Sequence, residues 1–165
     1  MTSYDKIRQN IIHLLHDSGA VCVTTMFDNY GLPADLPGKI SLQGVNPSRR
    51  VNRLEQEFAN NINNQRFLPF LLLHEFEELL FSASNILIEQ LRLSSQQPFG
   101  QIEQFSTPEE INDGSETHPA ARILRSKPDY RKPLGGVKIA EAIGLDIIRS
   151  RCPHFNQWVT RLETC

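Results

Sequence analysis

Three carboxylates stand where a fold commonly gathers chemistry. Asp28 ends the apolar, β-branched run over residues 20–27, and Glu75 and Glu77 follow a second apolar run over residues 66–73. In open α/β sheets ligands sit outside the carboxyl ends of the strands. If the two runs are parallel neighbours, these acids share one end of the sheet. Carboxylate oxygens gathered in this way suit magnesium or manganese, and such ions suit phosphate chemistry. A helical alternative stands beside this reading. Glu75, Glu77 and Glu78 fall in the first turn of a helix, where acids favour the macrodipole without any further role. On that helix Glu78 turns away from the Phe76/Leu80 stripe and is expected in solvent, whereas Glu75 and Glu77 flank the buried side. Helical residues two apart diverge by about 160°. Both glutamates meet one ion only if the segment is still extended there, where such residues share a face.

A second constellation is basic. Arg122, Arg125, Lys127, Arg131, Lys132 and Lys138 fall within 17 positions, against one acid, Asp129. Cations at this density could track a phosphate backbone, with Tyr130 offering a ring to stack on a base. Lys132, with Arg131, would neutralise charge developing on a phosphate. The alternative is a solvated helical face followed by a turn.

Other candidates are weaker. His13 and His16 are spaced as a ligand pair but lack a third partner. Cys152 and His154 could bind zinc, yet two ligands do not make a site. His74 precedes Glu75 and could act as a base or hold a ligand in place, with a structural hydrogen bond the plainer role. Neither GxSxG, a Walker loop nor GxGxxG occurs.

The elements that must position these groups fit one domain of 165 residues. An amphipathic helix is expected over 4–17, with Ser3 as its cap, then a buried strand over 20–27 and a turn-rich stretch ending near residue 39. A helix follows at about 49–64, with Val51, Leu54, Phe58 and Ile62 on one face. The strand at 66–73 contains Pro69, which cannot donate to a ladder and predicts an edge or a bulge. A helix through EFEELLFSA and a short one over 85–93 complete an α/β core over 1–93. Residues 94–120 read as a long polar loop, with a helical turn at TPEE and a turn at Asn112-Asp113-Gly114. Residues 121–165 read as a helical, basic segment, with Pro153 in the first turn of the last helix. Two strands are too few for a covered parallel sheet. Either further strands lie in 30–47 or part of the sheet is missing.

Composition narrows the classes. The net charge is −2, which excludes a uniformly basic binder; residues 1–119 carry −7 and residues 120–165 carry +5. Three scattered cysteines without a CxxC pair indicate neither a disulfide framework nor a zinc ribbon, and a reducing cytoplasm fits best. No stretch reads as a signal peptide or a membrane span.

The segments TTMFDNYGLPADLPG, LLLHEFEELLFS, PEEINDG, YRKPLGG, IAEAIGL and RSRCPHFNQWVTRLE, in this order, resemble the domain of unknown function family four-two-seven-six. The resemblance implies a TOPRIM-like α/β fold, a mostly parallel sheet flanked by helices, in which a glutamate and paired aspartates surround magnesium. It also implies a prokaryotic, cytoplasmic protein, often suspected of acting beside an ATPase in phage defence. Two departures stand out. The Val-Glu-Gly-x-Thr-Glu unit that opens similar members is not present here, and the usual Asp-x-Asp is reduced to Asp28. On this reading Glu75 or Glu77 replaces the missing acid. The expected function is a magnesium-dependent nuclease or a nuclease-derived component. The other expectation is a non-catalytic, N-terminally truncated subunit that binds an ATPase or a second copy of itself.

Overall fold

The computed structural model describes residues 3–39, 45–94, 99–111, 114 and 116–165. The expected turn residues Asn112 and Asp113 lie outside this set, as does 40–44 of the stretch searched for extra strands. The chain forms two compact units, residues 1–73 with 160–165, and residues 74–159. Its architecture is mixed α/β: short parallel strand pairs with seven helices among the described residues.

The first unit is built around parallel pairing. Helix α1 (Tyr4–Leu15) buries Tyr4, Ile11 and Leu15. Ser3 sits at its N-cap but its hydroxyl makes no cap bond. The Tyr4 amide instead donates to the Asp35 carboxylate at 3.1 and 3.2 Å, so a distant acid supplies the cap expected of Ser3. Helix α2 (Pro47–Ile62) starts as its sequence requires. Asn46 accepts the Ser48 amide at 3.1 Å, and Pro47 opens the first turn. Asn63 ends it in the left-handed conformation, φ 51°. Val51, Leu54, Phe58 and Ile62 all point inward, where Phe58 meets Tyr4 and Phe67 edge to face.

The two apolar runs are parallel neighbours, but each is broken in two. β1 (Val23–Thr24) pairs with β3 (Phe67–Leu68), and β2 (Phe27–Asp28) pairs with β4 (Leu71–Leu72). Pro69, which has no N–H, stands opposite the break. The Thr25 hydroxyl bridges it, accepting the Phe70 amide at 3.2 Å and donating to the Phe70 carbonyl at 3.3 Å. No strand beyond these four occurs among the described residues.

The second unit winds around a single segment. Phe76–Ala83, expected as an α-helix, is a 3₁₀ helix of eight residues, with everything from Glu77 to Ser82 buried. Runs of this length are uncommon in 3₁₀ geometry. Helices α3 (Ser84–Leu91), α4 (Pro119–Ser126), α5 (Lys132–Ile143) and α6 (Leu145–Arg151) pack against it, as does the turn Pro108–Glu110. Helix α7 (Pro153–Leu162) begins at Pro153, as expected. Its first amides are held from afar: Glu109 accepts the His154 N–H at 3.1 Å and the Phe155 N–H at 2.8 Å.

Candidate functional site: a carboxylate, an imidazole and an ammonium

Glu75 is still extended, φ −155° and ψ 165°, at the point where the 3₁₀ helix begins. That single extended residue turns its side chain to the same cation as Glu77. Lys132 Nζ lies 2.8 Å from Glu75 Oε2 and 3.6 Å from Glu77 Oε2. Both carboxylates are buried, while the Lys132 side chain is 46% exposed. The cluster therefore presents a partly accessible cation held on two buried anions.

The other oxygen of Glu75 is equally occupied. Oε1 accepts the Ala120 amide at 2.7 Å and stands 2.6 Å from His118 Nδ1. A carboxylate can only accept, so Nδ1 carries the proton and Nε2 is left as the acceptor of the neutral ring. The Ala121 amide approaches the same Nδ1 at 3.4 Å, too far to compete with the carboxylate contact. Burial works to raise the Glu75 pKa, but Lys132, the Ala120 N–H and His118 outweigh it and hold this carboxyl below its ordinary range.

The placement follows from local sequence. His118 is the N-cap of α4, fixed by Pro119 at the first helical position. Lys132 is the first residue of α5, also followed by proline. Between them Tyr130 is buried, its hydroxyl 3.4 Å from Glu77 Oε1. Burial first, then the charges of Glu77 and Glu75, push its pKa up, so it stays a donor. A Cβ at Gly135 would stand 2.7 Å from the Tyr130 ring, and one at Gly136 would stand 3.0 Å from Phe76. The paired glycines are what admit the ring to this position.

Several expectations change. Glu78, expected in solvent, is 1% exposed and accepts the His74 amide at 2.8 Å. His74 is buried. Arg122 is buried as well, donating to the carbonyls of Thr117 at 2.6 Å and Phe99 at 2.7 Å, with its guanidinium over Phe105. It braces the polar loop and is not on a basic face. Tyr130 is equally withdrawn from stacking. Arg125 and Lys127 lie at the surface beside Glu116 and Asp129, and Arg131 and Lys138 are exposed. Cys152 is fully buried against Ser82 Oγ at 3.2 Å, and burial pushes its thiol up to about 12, so it is no zinc-ready thiolate. His118 and Glu109 were not singled out from the sequence.

Of the three carboxylates grouped by sequence, Glu75 and Glu77 meet at Lys132, and Asp28 belongs to the first unit, in a cleft of its own. Carboxylate oxygens are the right donor type for magnesium or manganese. Yet both oxygens of Glu75 are engaged, and the Lys132 ammonium takes the cation position between the acids. Among the described residues no three His, Cys, Asp or Glu side chains gather as a metal-ligand set. The described residues do not make up a magnesium cage.

No helix among the described residues is long and apolar enough to cross a membrane. No curated protein and no solved structure matches the chain. The expected family does: the model of the domain of unknown function DUF4276 matches residues 2–163, and the chain belongs to that family.

Proposed function

We propose that the second unit carries a hydrolytic site for the phosphodiesters of nucleic acid. The observation that carries this reading is the double engagement of Glu75, with His118 Nδ1 at 2.6 Å and Lys132 Nζ at 2.8 Å. A buried carboxylate that fixes an imidazole with Nδ1–H makes Nε2 the basic nitrogen of the ring, the atom that would take a proton from an attacking water. An ammonium beside it stabilises negative charge developing on a phosphate. Glu75 acts as a positioning residue, and Glu77 holds Lys132 from its other side. Arg125, Lys127 and Arg131, at the surface, would meet neighbouring phosphates. A TOPRIM-like descent, a role in prokaryotic defence and an ATPase partner belong to this reading through the resemblance. A reducing cytoplasm agrees with three free cysteines.

The test is cleavage of labelled single-stranded and double-stranded DNA and RNA by the full chain, with chelator, magnesium or manganese. Cleavage that falls by about 10²-fold or more in His118→Ala and Lys132→Ala, with circular dichroism unchanged, supports the site. A requirement for magnesium or manganese adds the cofactor expected from sequence. Undiminished cleavage in His118→Ala sinks the assignment.

One observation favours the non-catalytic reading. Leu134 and Val137 on α5 are 65% and 52% exposed, one turn apart. Should no substrate be cut, sedimentation of wild type against Leu134→Lys tests whether this face joins two copies.

A further inference from the structure

Two thiols of the first unit, far apart in sequence, meet in space. Residues 160–165 return to the unit built from residues 1–73. There the side chains of Cys22 and Cys165 share a hydrogen bond. Both thiols are free, Cys22 half-buried and Cys165 exposed. The Cys165 S–H is aimed at the Arg161 carbonyl at 3.4 Å, so its sulfur is left to accept from Cys22.

Each sulfur stands on backbone that is held in place. Ahead of Cys22, the Arg66 guanidinium donates to the carbonyls of Leu15, of Asp17 at 3.0 Å and of Ala20 at 2.7 Å. Directly after Cys22, the Val23 amide donates to the Arg66 carbonyl at 2.8 Å. Arg66 therefore grips the chain on both sides of this cysteine. Beyond α7, the Thr164 amide and hydroxyl donate to the Arg161 carbonyl at 3.2 and 2.9 Å, and the Cys165 amide donates to the Leu162 carbonyl at 3.3 Å. Reactive groups brought together on fixed backbone need little reorganisation to bond. Cys152 is the contrast, buried against Ser82 in the second unit.

We propose that Cys22 and Cys165 are a redox pair, joined by exchange with a low-molecular-weight disulfide such as glutathione disulfide, and that the new bond fastens residues 160–165 to the first unit. Cys165, the exposed sulfur, gives up its proton and attacks one sulfur of the oxidant. The oxidant's S–S bond breaks and its first thiol leaves. Cys22 then gives up its proton and attacks the Cys165 sulfur, and the second thiol leaves. Two electrons and two protons pass from the cysteines to the oxidant. Burial, then the hydrogen bond and charge of Cys165, push the Cys22 thiol up to about 11, so Cys22 is the poorer first nucleophile and acts second. Capping Cys165 removes its share of that shift. A reducing thiol pool reverses the exchange, as in redox-sensing pairs of the cytosol.

The experiment exposes the reduced full chain to mixtures of reduced and oxidised glutathione, quenches with acid, alkylates, and maps the peptides by mass spectrometry. The native chain should give the Cys22–Cys165 link at a rate independent of protein concentration, with Cys152 still reduced. In guanidinium chloride the same treatment should favour Cys152–Cys165, which closes the shortest loop. Cys22→Ser should halt Cys165 at the mixed disulfide with glutathione. Oxidation should raise the melting temperature by about 5–15 °C, and dithiothreitol should reverse the rise. The same pairings in native and denatured chains would overturn the proposal. So would wild-type Cys165 carrying glutathione while Cys22 stays reduced, two chains joined through Cys165 as the main product, or unchanged melting of the linked protein. Neither thiol belongs to the His118–Lys132 cluster, so the outcome leaves the hydrolytic reading to its own test.

Discussion

Nδ1 of His118 lies 2.6 Å from Oε1 of Glu75, while the second oxygen of the same carboxylate holds Lys132 at 2.8 Å. One side chain thus orders two others, and its ionisation is tied to the fold. The Glu75 pKa is held below its ordinary value of 4.5, so the folded state binds this proton more weakly than the unfolded state. The linked stability is complete above the unfolded value and is lost as pH falls through the folded one. Melting temperature should therefore drop as pH is lowered below about 4.5, and Glu75→Gln should flatten that drop while lowering stability near neutrality. Thermal melts of both proteins across the acid range check this. A parallel drop in the variant would remove Glu75 as its source.

Glu109 has the opposite sign. Burial raises its pKa above 4.5, and the Phe155 and His154 amides only partly offset this. Its contribution favours the folded state below the unfolded value and is lost as pH rises through the folded one. Glu109→Gln keeps an acceptor for the first turn of α7 and should lessen the loss of stability on the alkaline side of 4.5. Glu109→Ala, which leaves both amides without their acceptor, should cost about 1–3 kcal/mol in denaturant unfolding.

Gly135 admits the Tyr130 ring, and a methyl there stands 2.7 Å from it. Gly135→Ala should destabilise by about 1–3 kcal/mol, the usual size of overpacking, despite the better helix propensity of alanine. It should also alter the near-ultraviolet tyrosine signal. A stabilised variant would show that the ring gives way freely.

Thr25 carries both halves of the bridge across the Pro69 break. Thr25→Val preserves shape and β propensity but leaves the Phe70 amide without its acceptor. The expected loss is about 1–3 kcal/mol, with hydrogen exchange accelerated at Phe70. Unchanged exchange there would mean that the hydroxyl is dispensable.

Much of this was legible in the chain. The spacing of Val51, Leu54, Phe58 and Ile62 gave α2 its inward face, and Pro69 marked where the parallel ladder breaks. Glu75 and Glu77 are readable as one acidic group and Lys132 as a separate cation, but nothing in their spacing shows that the lysine sits on both acids. His118 was hidden because it reaches Glu75 across 43 positions from a polar stretch, and its only local signal was a cap position before Pro119. Glu78 departs from its expected place in solvent for a geometric reason. At 100° per residue it turns outward, but 3₁₀ winding places it in line with Phe81, facing the interior. The burial of Arg122 and Tyr130 is not legible because composition records charge and rings but not burial.

The winding of Phe76–Ala83 has a mechanical meaning. A residue rises about 2.0 Å in 3₁₀ form and 1.5 Å in α form, so rewinding these eight residues would shorten the segment by about 4 Å. The same change would rotate each residue by about 20° relative to the one before, carrying Glu77 off the line it shares with Leu80 and away from Lys132. The pitch of one buried segment and the grip of its acids on an accessible cation are therefore a single coordinate, and whatever pulls on that cation pulls on the core.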